Sequence, residues 1–250
     1  MLGQRPSLSP GLRVYAIGDI HGRLDLLDEL LSRIEADRAA HPTSRAIHVF
    51  LGDYIDRGSS SRETIDRLIG LREARECVFL KGNHELIALK CLSDRSLFDQ
   101  WMRLGGVETL VSYGVPAGQL AGGRPIVELQ AAFHHALPQA HLRFFRDLQP
   151  SFTCGDFFFA HAGARPGVEL SRQTENDLLW IRDEFLSSTE DFGKIVVHGH
   201  TPTREIEIGP NRINIDTGAF ATGRLSCLAI EDSSLSVIDT LQAVGVRDAI

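Results

Sequence analysis

The chain has 250 residues, 43% of them hydrophobic and 24% charged, a composition that is ordinary for one globular α/β domain. Its formal net charge is −7, from 26 basic and 33 acidic residues. No broad basic surface for nucleic acid is therefore expected, and an anionic substrate must be drawn by metal ions or by a few placed arginines.

The four cysteines show no paired Cys-x-x-Cys spacing. The N-terminal region lacks an apolar stretch long enough for a signal peptide, and no other run approaches a membrane span. These features predict a cytoplasmic protein that has neither a nucleic-acid nor a membrane partner.

Residues 1–11 contain turn-forming residues without an apolar period, which predicts a flexible leader before a single domain, 12–250. The run Arg13–Ile17 predicts a short strand, followed by Asp19 and His21 and then by leucines at helical spacing. A carboxylate and an imidazole two residues apart suit a divalent transition metal. Asp19 alone could instead cap the helix.

A second strand, Ala46–Leu51, leads into a segment that contains Asp53, Asp56 and Arg57. A carboxylate at a strand end can offer one oxygen to each of two cations, and a guanidinium matches the geometry of a phosphate. The simpler interpretation is a surface turn in which the aspartates and the arginine pair.

A third strand, Cys77–Leu80, is followed by Asn83 and His84 and by another helix. Three successive strand–loop–helix units with polar clusters at the strand ends match the rule that open α/β sheets bind ligands at that edge. The clusters are therefore expected to converge. A zinc-protease helix is excluded, because Ala88 stands where the second histidine would be.

The pattern changes over about residues 93–150, the cap segment, where helical stretches alternate with Gly- and Pro-containing breaks. We expect a mostly helical insertion that shapes substrate access. Trp101, Arg103 and Tyr113 could contact substrate from it. The cap also carries histidines for which a surface or packing role is the more common one; these are His134, His135 and His141.

The second half of the chain returns to strands. The aromatic run at 156–160 precedes His161, Arg182 lies inside an apolar helix-like stretch, and Lys194–Val197 precedes His198 and His200. The strands predicted after residue 205 are antiparallel. Together the elements predict an α/β fold, a two-sheet β-sandwich flanked by α-helices.

The strand-end residues form a mixed oxygen and nitrogen donor set that is sufficient for two metal ions sharing one carboxylate. Two-metal hydrolytic sites attack by a bridging hydroxide and need no covalent nucleophile. The donor set comprises Asp19, His21, Asp53, Asn83, His161 and His200.

The ordered motifs resemble the phosphoprotein phosphatase branch of the calcineurin-like metallophosphoesterases, in particular its compact bacterial and phage members. The resemblance extends from about Val14 to Ala219. The motifs are GDIHG at Gly18, GDYIDRG at Gly52, GNHE at Gly82, HAG at His161 and HGHTP at His198.

The resemblance implies that Asp19 and His21 hold the first metal and that Asp53 bridges to the second. It implies that the second metal is completed by three residues, with Asn83 also next to substrate; these are Asn83, His161 and His200. His198 is then structural.

The remaining roles also follow from the resemblance. Arg57 and Arg182 would clamp the phosphoryl oxygens. His84 would protonate the leaving oxygen, and Asp56 would orient its imidazole. The implied ions are divalent, with manganese favoured over iron or zinc.

The leading hypothesis is a metal-dependent phosphomonoesterase that attacks phosphoserine, phosphothreonine and also phosphotyrosine in proteins through a metal-bridging hydroxide. An alternative keeps the mechanism but takes dinucleoside polyphosphates, as symmetrical diadenosine tetraphosphate hydrolases do. A third hypothesis is a non-catalytic scaffold, which the complete set of site residues disfavours.

Overall fold

Two β-sheets face each other across an apolar layer, and helices cover their outer faces. The computed structural model describes residues 5–116, 125–241 and 247–248. This architecture confirms the predicted two-sheet sandwich flanked by helices.

The first sheet has strand order β11-β10-β9-β1-β2-β3. Strands β1, β2 and β3 run parallel, whereas β9 pairs antiparallel with both β1 and β10, and β10 pairs antiparallel with β11. The strands are β1 Leu12–Ile17, β2 Arg45–Phe50, β3 Cys77–Phe79, β9 Ser226–Glu231, β10 Ser234–Asp239 and β11 Arg247–Asp248.

The second sheet has strand order β4-β5-β6-β8-β7. Its strands β5, β6 and β8 run parallel, while β4 and β7 are antiparallel edge strands. The strands are β4 Ser151–Cys154, β5 Phe157–Ala160, β6 Ile195–His198, β7 Glu207–Ile208 and β8 Arg212–Asn214.

Helices lie in the connections from β1 to β2, from β2 to β3 and from β5 to β6, whereas β6 reaches its parallel neighbour β8 through residues 199–211, which contain β7 and no helix. The helices outside the cap segment are α1 Leu24–Ala40, α2 Ser61–Ala74, α3 Asn83–Cys91, α8 Glu175–Trp180, α9 Asp183–Leu186 and α10 Ala219–Thr222. The cap segment contains α4 Phe98–Trp101, a π-helical stretch Met102–Gly106, α5 Val107–Ser112, α6 Ile126–Ala136 and α7 Gln139–Arg146.

Alternation along β1 shows how the two apolar layers arise. Val14 and Ala16 point into the layer between the sheets, where they meet side chains such as Phe159 of β5. Tyr15 and Ile17 point to the outer face, under the helices. Because successive strand residues face opposite sides, a strand buried on both faces is apolar throughout.

Two features of the chain differ from the sequence-based expectations. Strand β8 pairs in parallel with β6, so not all of the strands after residue 205 are antiparallel. In the leader, Leu8 is buried and its backbone N–H donates to Asp232 O at 2.9 Å.

Residues 1–4 and the predicted glycine break at 121–123 lie outside the described residues. The boundaries predicted for the domain and its cap insertion stay predictions.

No helix among the described residues is long and apolar enough to cross a membrane. The cysteines are all free thiols; they are Cys77, Cys91, Cys154 and Cys227.

Candidate metal centre and active site

The polar clusters converge because parallel strands of both sheets end at one edge of the sandwich. Strands β1, β2 and β3 of the first sheet end before Asp19, Asp53 and Asn83. In the second sheet, β5 ends at Ala160, directly before His161, and β6 ends at His198, two residues before His200. The predicted donors meet at the seam between the two sheets, and all of them are buried.

The backbone of this site is strained. Six non-glycine residues among the described residues have positive φ, and five of them belong to the predicted site. Residues other than glycine rarely adopt this region, and each instance costs about 1–3 kcal/mol, which the surrounding structure must offset. The five are His21, Asp53, Asp56, Arg57 and His200.

Asp53 lies at the centre of two groups of possible metal ligands. One group combines it with His21 and His84, and the other combines it with His161 and His200. Asp53 Oδ2 is 3.6 Å from His21 Nε2, while its Oδ1 is 3.4 Å from His161 Nε2. One oxygen therefore faces each group, which is the arrangement expected of a bridging carboxylate.

The second group also includes an amide oxygen. His161 Nε2 lies 2.9 Å from Asn83 Oδ1 and 3.1 Å from His200 Nδ1. The second nitrogen of His161, Nδ1, donates to Leu51 O at 3.0 Å, which leaves the lone pair of Nε2 directed into the site. In the first group His21 Nδ1 likewise donates to Ile55 O at 2.9 Å.

These donors fit a divalent ion. Burial lowers the pKa of His21 to about 3 and that of His200 to about 2, so both rings are neutral at neutral pH, the form that binds metal. Burial alone would raise the pKa of Asp53, but attraction to nearby histidines, among them His161 and His84, lowers it below its ordinary value. Neutral imidazole and carboxylate together suit manganese, iron or zinc.

Asp19 adds an observation in favour of a cation. Its Oδ2 accepts a hydrogen bond from His200 N at 3.1 Å, whereas its buried Oδ1 has no hydrogen-bond partner among the described residues. Burial raises its pKa, and so do the carboxylates of Asp216 and Asp53. Repulsion among three buried carboxyl groups is what a divalent cation relieves.

His84 and Asp56 form a hydrogen-bonded pair beside the donors. His84 Nδ1 lies 2.7 Å from Asp56 Oδ2, and both side chains are buried. Burial alone would lower the pKa of His84, but the carboxylates of Asp53 and Asp56 raise it above its ordinary value. Nε2 of the ring faces the site, 3.7 Å from Asp53 Oδ2. A protonated imidazole in this position can serve as a general acid.

Two arginines border the same space. Arg57 places Nη1 3.1 Å from His21 Nε2 and Nη2 3.3 Å from His84 Nε2. Arg182 is exposed, and its Nη1 donates to Thr201 Oγ1 at 3.2 Å, next to His200. Arg57 therefore lies against two of the site histidines, and Arg182 lies beside the segment that carries His200, while their role in binding an anion stays a prediction.

Glu85 holds the strained loop in place, a role that the sequence reasoning missed. Its Oε1 accepts from the backbone N–H groups of Tyr54 at 2.8 Å and Ile55 at 3.2 Å. Its Oε2 accepts from those of Asp53 and Gly82, each at 3.0 Å. Gly82 and Glu85 have the spacing of a capping box. This spacing is the sequence signal from which the role of Glu85 could have been predicted.

Trp101 and Tyr113 of the cap segment are buried and face the interior of the cap. Trp101 is fully buried and donates its indole N–H to Asp56. Tyr113 is also buried, with its hydroxyl 2.8 Å from His141 Nδ1. The suggestion that these two rings reach substrate is therefore wrong, because both pack inside the cap.

The histidines without an assigned role differ in their surroundings. His134 and His135 are exposed on α6. His141 is buried and contacts Tyr113, which agrees with a packing role. His198 is fully buried against Phe185, and burial lowers its pKa to about 3.

Phe220 of α10 stands at the mouth of the site. Its side chain is 37% exposed, the guanidinium carbon of Arg57 lies 4.6 Å from its ring centroid, and the ring of His21 is 5.4 Å away edge-on. No role for Phe220 was predicted from the sequence. A glycine-containing polar turn after β8, at residues 216–218, was the only local signal.

The fold and these clusters define a class. The profile of the family described as calcineurin-like phosphoesterase matches residues 12–223. The chain belongs to this family, whose members hydrolyse phosphoesters with divalent metals. The residue-by-residue ligand assignments stay predictions.

Among similar curated proteins is the asymmetrical bis(5'-nucleosyl)-tetraphosphatase PrpE of Anoxybacillus flavithermus, 28% identical over 250 residues, 92% of this chain and 96% of that protein. Serine/threonine-protein phosphatase 2 of Escherichia coli is 27% identical over 227 residues, 87% of this chain and 93% of that one. The solved cold-active protein-tyrosine phosphatase of a Shewanella species aligns with a TM-score of 0.60 at 18% identity over 97% of this chain and 83% of that one, which supports the fold.

Proposed function

We propose that the chain is a metal-dependent hydrolase of phosphoric anhydrides and esters whose favoured substrates are dinucleoside polyphosphates. The observation that carries the substrate class is Phe220, an exposed aromatic ring stacked against Arg57 at the mouth of the site. A nucleobase can stack on such a ring while the phosphates lie against the guanidinium. The likeness to PrpE over nearly the whole chain supports the same choice.

The proposed ligands are Asp19 and His21 for one ion, Asn83, His161 and His200 for the other, and Asp53 for both. When bound, two divalent ions activate water and neutralise charge on the phosphoryl group. Attack of water on phosphorus breaks the bond from phosphorus to the leaving oxygen.

The other side chains of the site complete the reaction. His84 donates the Nε2 proton to the leaving oxygen, while Asp56 holds the other ring nitrogen. Arg57 and Arg182 bind the phosphoryl oxygens, where negative charge develops in the transition state.

Phosphomonoesters of protein side chains are the second candidate. This second candidate is supported by the similarity to the Escherichia coli serine/threonine-protein phosphatase over 87% of this chain. The same donors and arginines would serve both substrates, because each reaction transfers a phosphoryl group to water. The two candidates differ in whether a base must be bound beside Phe220.

The test compares diadenosine tetraphosphate with a phosphothreonine peptide, using manganese-loaded protein and a chelated control. We expect a higher kcat/KM for the dinucleotide. The products identify the bond that is cleaved, since asymmetrical hydrolysis gives ATP and AMP whereas symmetrical hydrolysis gives two ADP. Preference for the peptide would replace the first candidate by the second.

The variant Phe220→Ala should lower kcat/KM for the dinucleotide about tenfold, since stacking of a base on an aromatic ring contributes about 1–3 kcal/mol. The peptide should be hydrolysed almost as before. Ile208→Ala is a matched control, because Ile208 is another exposed apolar side chain, on the edge strand β7. An equal loss on both substrates would contradict a base-stacking role for Phe220.

A further inference from the structure

The cap segment donates two hydrogen bonds to the Asp56 carboxylate. Thr109 Oγ1 lies 2.6 Å from Asp56 Oδ1. The indole nitrogen of Trp101 lies 3.0 Å from Asp56 Oδ2 and 3.1 Å from Oδ1. All three side chains are fully buried, so neither donor is replaced by water. These contacts link the helices of the cap to a residue beside the metal donors.

We propose that Thr109 and Trp101 are positioning residues that set the orientation of His84 through Asp56. The proposal rests on the proposed role of His84 as the proton donor. Asp56 Oδ2 accepts a hydrogen bond from His84 Nδ1 at 2.7 Å, so the orientation of the carboxylate fixes the plane of the imidazole. The ring plane in turn decides where Nε2 presents its proton.

Thr109 also controls the backbone of Asp56. Its hydroxyl oxygen accepts a hydrogen bond from Asp56 N at 2.9 Å and lies 3.0 Å from Ser61 Oγ. Asp56 has a φ of 73°, a conformation that needs support from its surroundings. The hydroxyl of Thr109 therefore binds both the carboxylate and the strained peptide, whereas Trp101 binds only the carboxylate.

Loss of one donor should disturb proton transfer more than binding. A buried carboxylate that loses a hydrogen bond rotates toward its remaining partners, and the imidazole bonded to it moves as well. Departure of an alkoxide depends on a well-placed acid, whereas p-nitrophenolate leaves readily without one. The proposal thus predicts an effect that grows with the basicity of the leaving group.

The experiment measures kcat and KM of manganese-loaded variants on an alkyl phosphate and on p-nitrophenyl phosphate. His84→Ala is the benchmark and should lose about 10²-fold or more in kcat on the alkyl ester, which is what a positioned general acid supplies, and much less on the nitrophenyl ester. Thr109→Val should show the same selectivity at about tenfold, with little change in KM. Thr109→Ser, which keeps the hydroxyl, should restore the rate.

Ser112→Ala is the matched control, because it removes a hydroxyl one turn further along α5 that donates to Thr109 O rather than to Asp56. It should leave both rates unchanged. Should Thr109→Val fold poorly, Trp101→Phe tests the same link by removing the indole N–H. Thermal unfolding of each variant identifies a folding defect.

A second measurement does not depend on turnover. In the metal-free protein, the NMR shift of the His84 Nδ1 proton reports its bond to Asp56. We expect this shift to change in Thr109→Val, to return in Thr109→Ser and to stay constant in Ser112→Ala.

The outcomes separate the two levels of the argument. If His84→Ala shows no leaving-group selectivity, the proposed acid is wrong, and the positioning role falls with it. If His84→Ala is selective but Thr109→Val and Trp101→Phe slow both esters equally, the acid stands, and the role of the cap donors is only structural.

Discussion

Gly105 is the position where a single methyl group should most directly displace a site residue. It has a φ of 108°, and its carbonyl accepts the backbone N–H of Arg57 at 3.1 Å. A Cβ at Gly105 would lie 2.7 Å from Arg57 Cγ and 2.8 Å from Arg57 N. Carbon atoms normally approach to about 3.5 Å, so Arg57 Cγ must move by roughly 0.8 Å.

Gly105→Ala therefore carries two costs. The left-handed backbone costs about 1–2 kcal/mol for an alanine, and the overpacking adds about 1–3 kcal/mol. Because a misplacement of about 1 Å can cost 10²-fold in rate, kcat/KM should fall by about that factor.

Gly114→Ala is the matched control for Gly105→Ala. Gly114 also has a positive φ, of 89°, but a Cβ there would meet nothing within 4 Å among the described residues. It should lose about 1–2 kcal/mol of stability and keep its activity. Thermal unfolding and p-nitrophenyl phosphate turnover at saturating manganese measure both. Equal activity of the two variants would refute the argument that Gly105 positions Arg57.

Two further variants test the division of roles in the site. Asp53→Asn should reduce the content of both metals at once, as measured by elemental analysis, and loss of only one ion would rule out a bridge. His84→Ala should retain metal but lose turnover. Because neighbouring carboxylates raise the pKa of His84, its protonated form persists to a higher pH than that of an ordinary histidine and is lost as the pH rises through this pKa. The wild-type rate should then fall on the alkaline side, and a pH profile of His84→Ala should lack that fall.

Most of the donor set could be predicted because it depends on local sequence. A buried parallel strand reads as an apolar run, and the polar residue after it lies at the ligand-binding edge of the sheet. Asp19, Asp53 and His161 each lie within three residues of the end of such a strand. Their convergence follows from the strands being parallel.

The contacts that support the site could not be predicted in this way. Thr109 and Trp101 lie 53 and 45 residues from Asp56 in the sequence, and no periodicity connects them. An aromatic residue in a helical cap is equally compatible with substrate binding and with packing, and burial decides between the two. The parallel pairing of β8 was missed because strand direction depends on the partner strand, which composition does not reveal.

The seam between the sheets joins two distant parts of the chain. The proposed ligands up to Asn83 belong to the first sheet, whereas His161 and His200 follow strands of the second. An ion held by both sets would resist separation of the sheets, so metal affinity and sandwich stability become one linked equilibrium. At a free metal concentration about 100 times the Kd, one such site would add about 2.7 kcal/mol to the free energy of unfolding. The melting temperature of the protein should therefore rise with metal concentration.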